Sequence, residues 1–237
     1  MASTGDDRPR HEQIAADLRA RIMSGDLPAG SQLPSIPTLT TRYAAATATV
    51  QRALAALKAE GAVRSEMGRG VYVRDRQALV MEASAYLAPQ PNGVSYRLLA
   101  VEEVEPSPEV ARLLALGSDD TVVLRQRLML HGGEPTELCW SYYPASIARG
   151  TELAERRKIS GGAARILADL GHPEHEVVDH VSARMPTSEE VERLALPPYV
   201  PVLRQLRVVL TATKQPVEVS VLIKGSHLHE LRYGFRI

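Results

Sequence analysis

The sequence predicts an α+β protein in two unlike parts, an N-terminal winged helix-turn-helix followed by a larger antiparallel sheet domain with helices. Three observations predict it. Apolar residues at helical spacing run from Ile14 to Leu57 and give way to two short strands around a glycine tip. Beyond Gly93, short strand-like runs alternate with Gly- and Pro-containing turns. That second pattern occurs twice along the chain. At 237 residues there is room for two domains, each with its own core.

The elements follow in order. Ile14, Leu18 and Ile22 recur at every fourth position within His11–Met23, and Ser24-Gly25 closes that helix. Leu27-Pro28-Ala29-Gly30 is a turn. Ser35 caps a second helix reaching about Tyr43, with Pro37 tolerated in its first turn. A third helix after Ala44-Ala45 buries Val50, Leu54 and Leu57, and Gly61 supplies its left-handed stop. Val63–Ser65 and Val71–Val73 are strands around Met67-Gly68-Arg69-Gly70. The expected organisation is a flexible tail over residues 1–10, the winged helix over 11–75, a linker over 76–92 and the sheet domain over 93–237.

Charge points the same way. There are 28 Lys and Arg against 28 Asp and Glu. Residues 1–76 hold eleven basic and eight acidic side chains, and the remainder reverses the balance. Residues 35–76 alone hold seven basic against three acidic, so the neutral total is a cancellation that leaves a nucleic-acid partner open. A lone cysteine, Cys139, excludes a disulfide framework and a multi-cysteine metal site. The N-terminus lacks the basic flank and apolar stretch of a secretion signal, and no run approaches a membrane span, which points to the cytoplasm.

In a winged helix-turn-helix the third helix enters the major groove, and its first residues face base edges. Thr47, Thr49, Gln51 and Arg52 occupy those positions. Gln suits adenine, Arg suits guanine or phosphate, and Thr hydroxyls suit phosphate oxygens. Arg69, between Gly68 and Gly70, is free to reach a minor groove. Ser35 sits where the preceding helix meets the backbone. Glu12-Gln13-Ile14, Ile22–Gly30, Leu33-Pro34-Ser35, Thr49-Val50, Ala53-Leu54, Glu60-Gly61 and Gly68-Arg69-Gly70 resemble, in order and spacing, the DNA-binding domain of the GntR family of bacterial transcription regulators. The resemblance implies a double-stranded operator. Ile36-Pro37, Ala46-Thr47 and Gln51 stand where the family usually has Glu-Arg, Ser-Arg and Arg. Each absent Arg–guanine contact is worth about 1–3 kcal/mol of discrimination, which predicts a divergent operator or weaker binding.

In the second part, Ser107/Ser188, Glu109/Glu190, Val110/Val191, Leu113/Leu194, Pro135/Pro216 and Glu137/Glu218 coincide when the numbering is offset by 81, and Leu124-Arg125-Gln126 recurs as Leu203-Arg204-Gln205 when it is offset by 79. Each copy reads as a short helix capped by Ser107 or Thr187 and then a hairpin, Val122–Leu130 with Glu137–Tyr143 and Val202–Ala212 with Val217–Lys224. Strands near Tyr96–Val104 and Val177–Arg184 and a helix near Gly162–Leu170 complete the sheet domain.

Ser107-Pro108-Glu109, Leu113–Gly117, Gly133-Glu134-Pro135, Tyr142-Tyr143-Pro144, Gly171-His172 and Pro216–Ser220 resemble the UTRA effector-binding domain of the HutC branch of GntR regulators, a chorismate-lyase-like fold. That resemblance implies a homodimer with a small-molecule site. Arg127, Met129, Cys139 and Glu218 stand where phosphosugar-binding members have two arginines and two glutamates. One arginine and one acid are absent, which predicts a less anionic, more apolar effector.

No cofactor, metal or membrane is expected. His172, His175 and His180 lack the spacing of a helical metal site. No nucleophile elbow or phosphate loop appears, so a regulator is favoured over a lyase-type enzyme, with a bare dimerisation module as the other alternative.

Overall fold

The computed structural model describes residues 6–74, the backbone of 79–82, and residues 94–234. The chain divides into two compact units, the first formed chiefly by residues up to Ala78 and the second by most of the remainder.

In the first unit α1 (Arg10–Met23), α2 (Ile36–Tyr43) and α3 (Thr47–Ala59) precede a two-stranded antiparallel wing, β1 (Val63–Glu66) and β2 (Gly70–Val73). Each helix turns its apolar stripe inward. Ile14, Leu18, Leu39, Val50 and Leu57 are completely or almost completely buried in one cluster with Leu33, Val63 and Val73. Burying a side chain of this size stabilises the fold by about 1.5–3 kcal/mol. The Ser35 hydroxyl accepts from the Thr38 amide at 3.3 Å, the expected N-cap of α2. Arg19 on α1 makes a two-point contact with Glu60 at the end of α3, at 2.8 and 2.5 Å. Gly61 has φ of 65°, the left-handed stop read from the sequence.

The second unit is a six-stranded antiparallel sheet in the order β4-β5-β6-β9-β8-β7. Its strands are β4 (Val94–Val104), β5 (Val122–His131), β6 (Glu134–Pro144), β7 (Glu176–Arg184), β8 (Val202–Leu210) and β9 (Pro216–Gly225). β3 (Leu79–Glu82) pairs in parallel with β10 (His229–Arg232), a pairing the sequence reading lacked. β3 falls inside the expected 76–92 linker; the rest of that linker, and residues 1–5 of the expected tail, lie outside the described residues.

The duplication is real, and its register differs from the one read by identity. Ser107 caps α4 (Pro108–Leu113) and Thr187 caps α7 (Ser188–Arg193). The helices end in left-handed Ala115 and Ala195, and the bulges fall at Met129/Leu130 and Val209/Leu210. All three pairs of landmarks share an offset of 80. Only across the hairpin turn, from Pro135 to Pro216, does the offset become 81. The pairing of Glu109, Val110 and Leu113 with Glu190, Val191 and Leu194 is therefore shifted by one position. The Leu-Arg-Gln match at 79 is shifted as well: Arg125 faces the opposite side of the sheet from Arg204, whereas Arg127 and Arg207 are true mates. A slip of one position exchanges the two faces of a strand.

One sheet face is apolar and carries the exchanged helices. α4 packs with Leu206, Val208 and Val219 of the second repeat, while Leu194 and Leu196 at the end of α7 pack with Leu128 and Leu138 of the first. The opposite face is charged. Lys224 and Glu137, both buried, pair at 3.0 Å; the Lys224 ammonium also donates to Gln205 at 2.9 Å, and Gln205 donates to Asp179 at 2.9 Å. Arg207 closes the chain on Asp179 through Nε at 2.8 Å and a terminal nitrogen at 2.7 Å.

This charged face is covered by residues 145–175: α5 (Ala145–Ala148), a 3-10 turn (Glu152–Ala154) and α6 (Gly162–Asp169). Leu153, Ile166 and Leu167 seal onto Val123, Tyr143 and Val209. Buried Arg125 fastens the cover from below, donating to the carbonyls of Leu153 at 2.8 Å, Glu155 at 2.9 Å and Arg157 at 2.7 Å.

Two outcomes follow for the full chain. Lys224→Met, which removes the ammonium paired with the buried Glu137 carboxylate, lowers unfolding free energy in urea by about 3–5 kcal/mol, and Glu137→Leu/Lys224→Met restores most of the loss; equal losses in single and double variants would exclude a dominant charge penalty. Arg125→Leu lowers amide-exchange protection across residues 152–169 at least about ten-fold, the equivalent of about 1.4 kcal/mol for one charged hydrogen bond, while α1 and α3 keep theirs.

Candidate functional site

The first unit presents an exposed polar stripe. With Val50, Ala53, Leu54 and Leu57 turned inward, α3 leaves Thr47, Gln51, Arg52 and Lys58 outward, spaced along its exposed face. Thr49 is half-buried. Ala46 at the N-cap supplies no side-chain acceptor, so the first amides of α3 keep no side-chain cap and face outward beside Thr47. Ser35 is exposed, but its hydroxyl is engaged with the amide and hydroxyl of Thr38.

The wing tip is anchored rather than loose. Gln32 forms a bridge with Tyr72 and donates through Nε2 to the Arg69 carbonyl at 2.6 Å. Gly70 has φ of 121°, and a Cβ there would lie 2.6 Å from Gln32 Nε2. Glycine is thus required at the point where the wing meets its anchor. Gly68, also left-handed, faces open space. Arg69 is three-quarters exposed, with a 3.8 Å contact to Glu66, and Met67 beside it is fully exposed. The arrangement offers hydroxyl, amide and guanidinium donors on one helix face and a guanidinium on an anchored β-turn, the donor set that suits DNA phosphates and base edges.

The second unit encloses a cavity of about 550 Å³ between the charged sheet face and its cover. All four residues singled out in the sequence line it: Arg127 and Met129 on β5, Cys139 on β6 and Glu218 on β9. A hydrogen-bonded chain links two of them. Arg127 donates to the Ser141 hydroxyl at 2.6 Å, Ser141 and Ser220 share a hydrogen at 2.6 Å, and Ser220 donates to Glu218 at 2.5 Å. Arg127 also donates to the Cys139 sulfur at 3.1 Å. Its Nε is buried and without a hydrogen-bond partner among the described residues. The Arg127 guanidinium lies 6.0 Å and the Lys158 ammonium 5.0 Å from the centre of the Tyr96 ring.

Sequence reasoning missed Arg125, Glu137, Glu174 and Arg207, which also line the cavity. The available signal was alternation, since Arg125, Arg127 and Met129 must share a face of one strand. The correct repeat register would have added Arg207 as the mate of Arg127. Nothing local marked Glu174, which reaches the cavity from the loop before β7. Burial pushes its carboxyl up to about 7, reinforced by the Glu218 carboxylate and opposed by Arg207. Burial alone would raise the Asp179 carboxyl as well, but the Arg207 guanidinium more than offsets it and holds it below the ordinary value. Burial raises the Cys139 thiol, so it stays protonated beside Arg127.

His180 lies exposed on β7, and His175 is tied by its amide to the Leu210 carbonyl. Among the described residues no group of three or more His, Cys, Asp or Glu side chains is placed to hold a metal ion. Among them, too, no helix is long and apolar enough to cross a membrane.

Comparison with known proteins accounts for both units. Residues 10–73 match the gntR family of bacterial regulatory proteins, and residues 90–226 match the UTRA domain. The chain is 28% identical over 251 residues to the HTH-type transcriptional regulator SCO4628 of Streptomyces coelicolor, covering 97% of this chain and 93% of that one. It is 26% identical to the HTH-type transcriptional regulator GgaR of Escherichia coli, covering 97% and 91%. Among solved structures, YydK from Bacillus subtilis has the same fold with a TM-score of 0.58 at 20% identity, covering 97% of this chain and 100% of that one. PhnF from Mycobacterium smegmatis also matches with 0.58, at 18% identity and 94% and 99% coverage. These relatives are transcriptional regulators and not enzymes. The chain belongs to the GntR family of bacterial regulatory proteins, with a UTRA domain following its DNA-binding domain.

Proposed function

We propose that this regulator binds a palindromic operator as a homodimer in the cytoplasm, acting as a repressor, and that a small molecule taken into the cavity of the UTRA domain changes its affinity for DNA. One observation carries the DNA reading: the outward stripe of α3 and the anchored, glycine-flanked Arg69 present polar donors to solvent on a unit whose apolar helix faces are turned inward. Thr47, Gln51 and Arg52 read base edges or phosphates in the major groove, Arg69 enters the adjacent minor groove, and Ser35 lies beside the backbone. Two copies are needed because one winged helix of modest basicity binds weakly. A two-fold dimer would read half-sites about one helical turn, or multiples of it, apart.

The cavity favours an effector over a bare dimerisation module. Arg127, Glu174 and Glu218 are retained in a largely buried position where apolar residues would serve a structural core better. Arg127, Met129, Cys139 and Glu218 form the wall that would contact the ligand.

Gel shift with DNA upstream of the regulator's own gene tests the DNA reading. A shift whose log affinity falls linearly with log salt is expected, and no shift at low salt would overturn it. Gln51→Ala and Arg69→Ala each weaken binding about 5- to 150-fold, the equivalent of about 1–3 kcal/mol, with unchanged thermal melts. Gly70→Ala weakens binding comparably by displacing the wing from Gln32.

A further inference from the structure

We infer that the cavity is built for a zwitterion: a small molecule with an apolar or aromatic body, a carboxylate that meets Arg127 and a protonated amine that meets Glu174 and Glu218. This rests on the effector reading above and goes beyond it by naming the chemistry. Most charges on the cavity walls are already matched. Arg125 is spent on backbone carbonyls, Glu137 on Lys224, and Arg207 on Asp179. The groups left for a guest fall on two sides.

On the β5 side stands Arg127, whose buried Nε has no hydrogen-bond partner among the described residues. On the side of β9 and the loop before β7 stand Glu218, which receives one serine hydroxyl, and Glu174, for which no hydrogen bond or ion pair is found among the described residues. The Ser141 and Ser220 hydroxyls link Arg127 to Glu218, and Met129, Leu222 and Val209 add apolar surface to the same cavity, suited to an apolar body. A simple anion would satisfy Arg127 but approach two carboxyl groups. A simple cation would satisfy the acids but leave the arginine unmatched in a site where an unpaired charge is costly. A molecule bearing both charges completes both walls.

The acid side also makes the uptake depend on pH. Glu174 faces Glu218 of β9 and Arg207 of β8, and Arg207 is itself held by Asp179 of β7. With its carboxyl at about 7 against an ordinary 4.5, Glu174 is largely protonated in the empty protein below neutrality and must lose that proton to accept an ammonium group. Affinity therefore rises as pH rises from 6 to 8. The empty fold behaves in the opposite sense: the raised carboxyl favours the folded state while protonated, and that contribution is lost as pH rises from about 4.5 through about 7.

The test uses the full chain with apolar and aromatic L-amino acids and their dipeptides, each beside its N-acetyl derivative, which keeps only the carboxylate, and its amide, which keeps only the ammonium. Sugar phosphates serve as a contrasting panel. In thermal melts and calorimetry, at least one zwitterion is expected to bind at least ten-fold tighter than both of its single-charge derivatives, with proton release below pH 7. Glu174→Gln should abolish the pH dependence, and Glu218→Gln should weaken the zwitterion while sparing its N-acetyl form. N-acetyl derivatives binding as tightly as their parents, or sugar phosphates binding where zwitterions do not, would overturn this inference and leave the effector reading intact. No compound shifting the melt would remove both.

Discussion

The fold of the larger domain depends on the register between its two central strands. β6 and β9 pair so that Cys139 lies opposite Leu222, Trp140 opposite Val221 and Ser141 opposite Ser220. Trp140 and Val221 are mates in the duplication, so the pseudo-two-fold axis of the sheet passes through them. From that one alignment follow the Lys224–Glu137 pair, the contact between the two serine hydroxyls, and the position of each repeat's helix over the other repeat's strands. A slip of one position would turn one of the two strands over, sending Glu137 or Lys224 toward the helices and Leu138 or Ile223 toward the cavity. The penalty for burying those charges among apolar side chains makes the register nearly unique.

Duplication gives the cavity a paired set of charges, and divergence makes it asymmetric. Arg127 and Arg207 are mates, as are Glu137 and Glu218. In the second repeat Asp179 neutralises Arg207; at the corresponding place on β4 stands Leu98, so Arg127 has serine and cysteine neighbours instead of a carboxylate. Glu137 is held by Lys224, whereas the mate of that lysine on β6 is Tyr143, and Glu218 takes a serine hydroxyl. Each repeat thus keeps one charge matched by an opposite charge and one that is not. The latter two, Arg127 and Glu218, share the cavity.

Much of this was legible in the residues. The Ser35, Ser107 and Thr187 caps, the Val50–Leu54–Leu57 stripe and the glycine-flanked wing each depend on local chemistry, and each appears where expected. The family resemblance brought Arg127, Met129, Cys139 and Glu218 to one wall. What escaped was long-range. Arg125 acts on the carbonyls of Leu153, Glu155 and Arg157, in and just after the third element along the chain from its own strand; Glu174 is defined by the sheet it approaches; and the pairing of β3 with β10 joins the start of the second unit to its end. The repeat offset escaped because identities such as Glu109/Glu190 outweighed the caps and bulges that set the true register. Glu190 in fact occupies the buried place of Val110, made tolerable by Arg184 at 2.6 and 2.7 Å and by the Thr187 amide.

The account's central claim is that occupancy of this cavity is linked to DNA affinity. The most direct measurement is the dissociation constant for the operator with and without a saturating concentration of the compound that most raises the melting temperature. The account predicts a change of at least about five-fold, a coupling of about 1 kcal/mol or more, with DNA altering affinity for the compound by the same factor. Equal constants in the two conditions would contradict it.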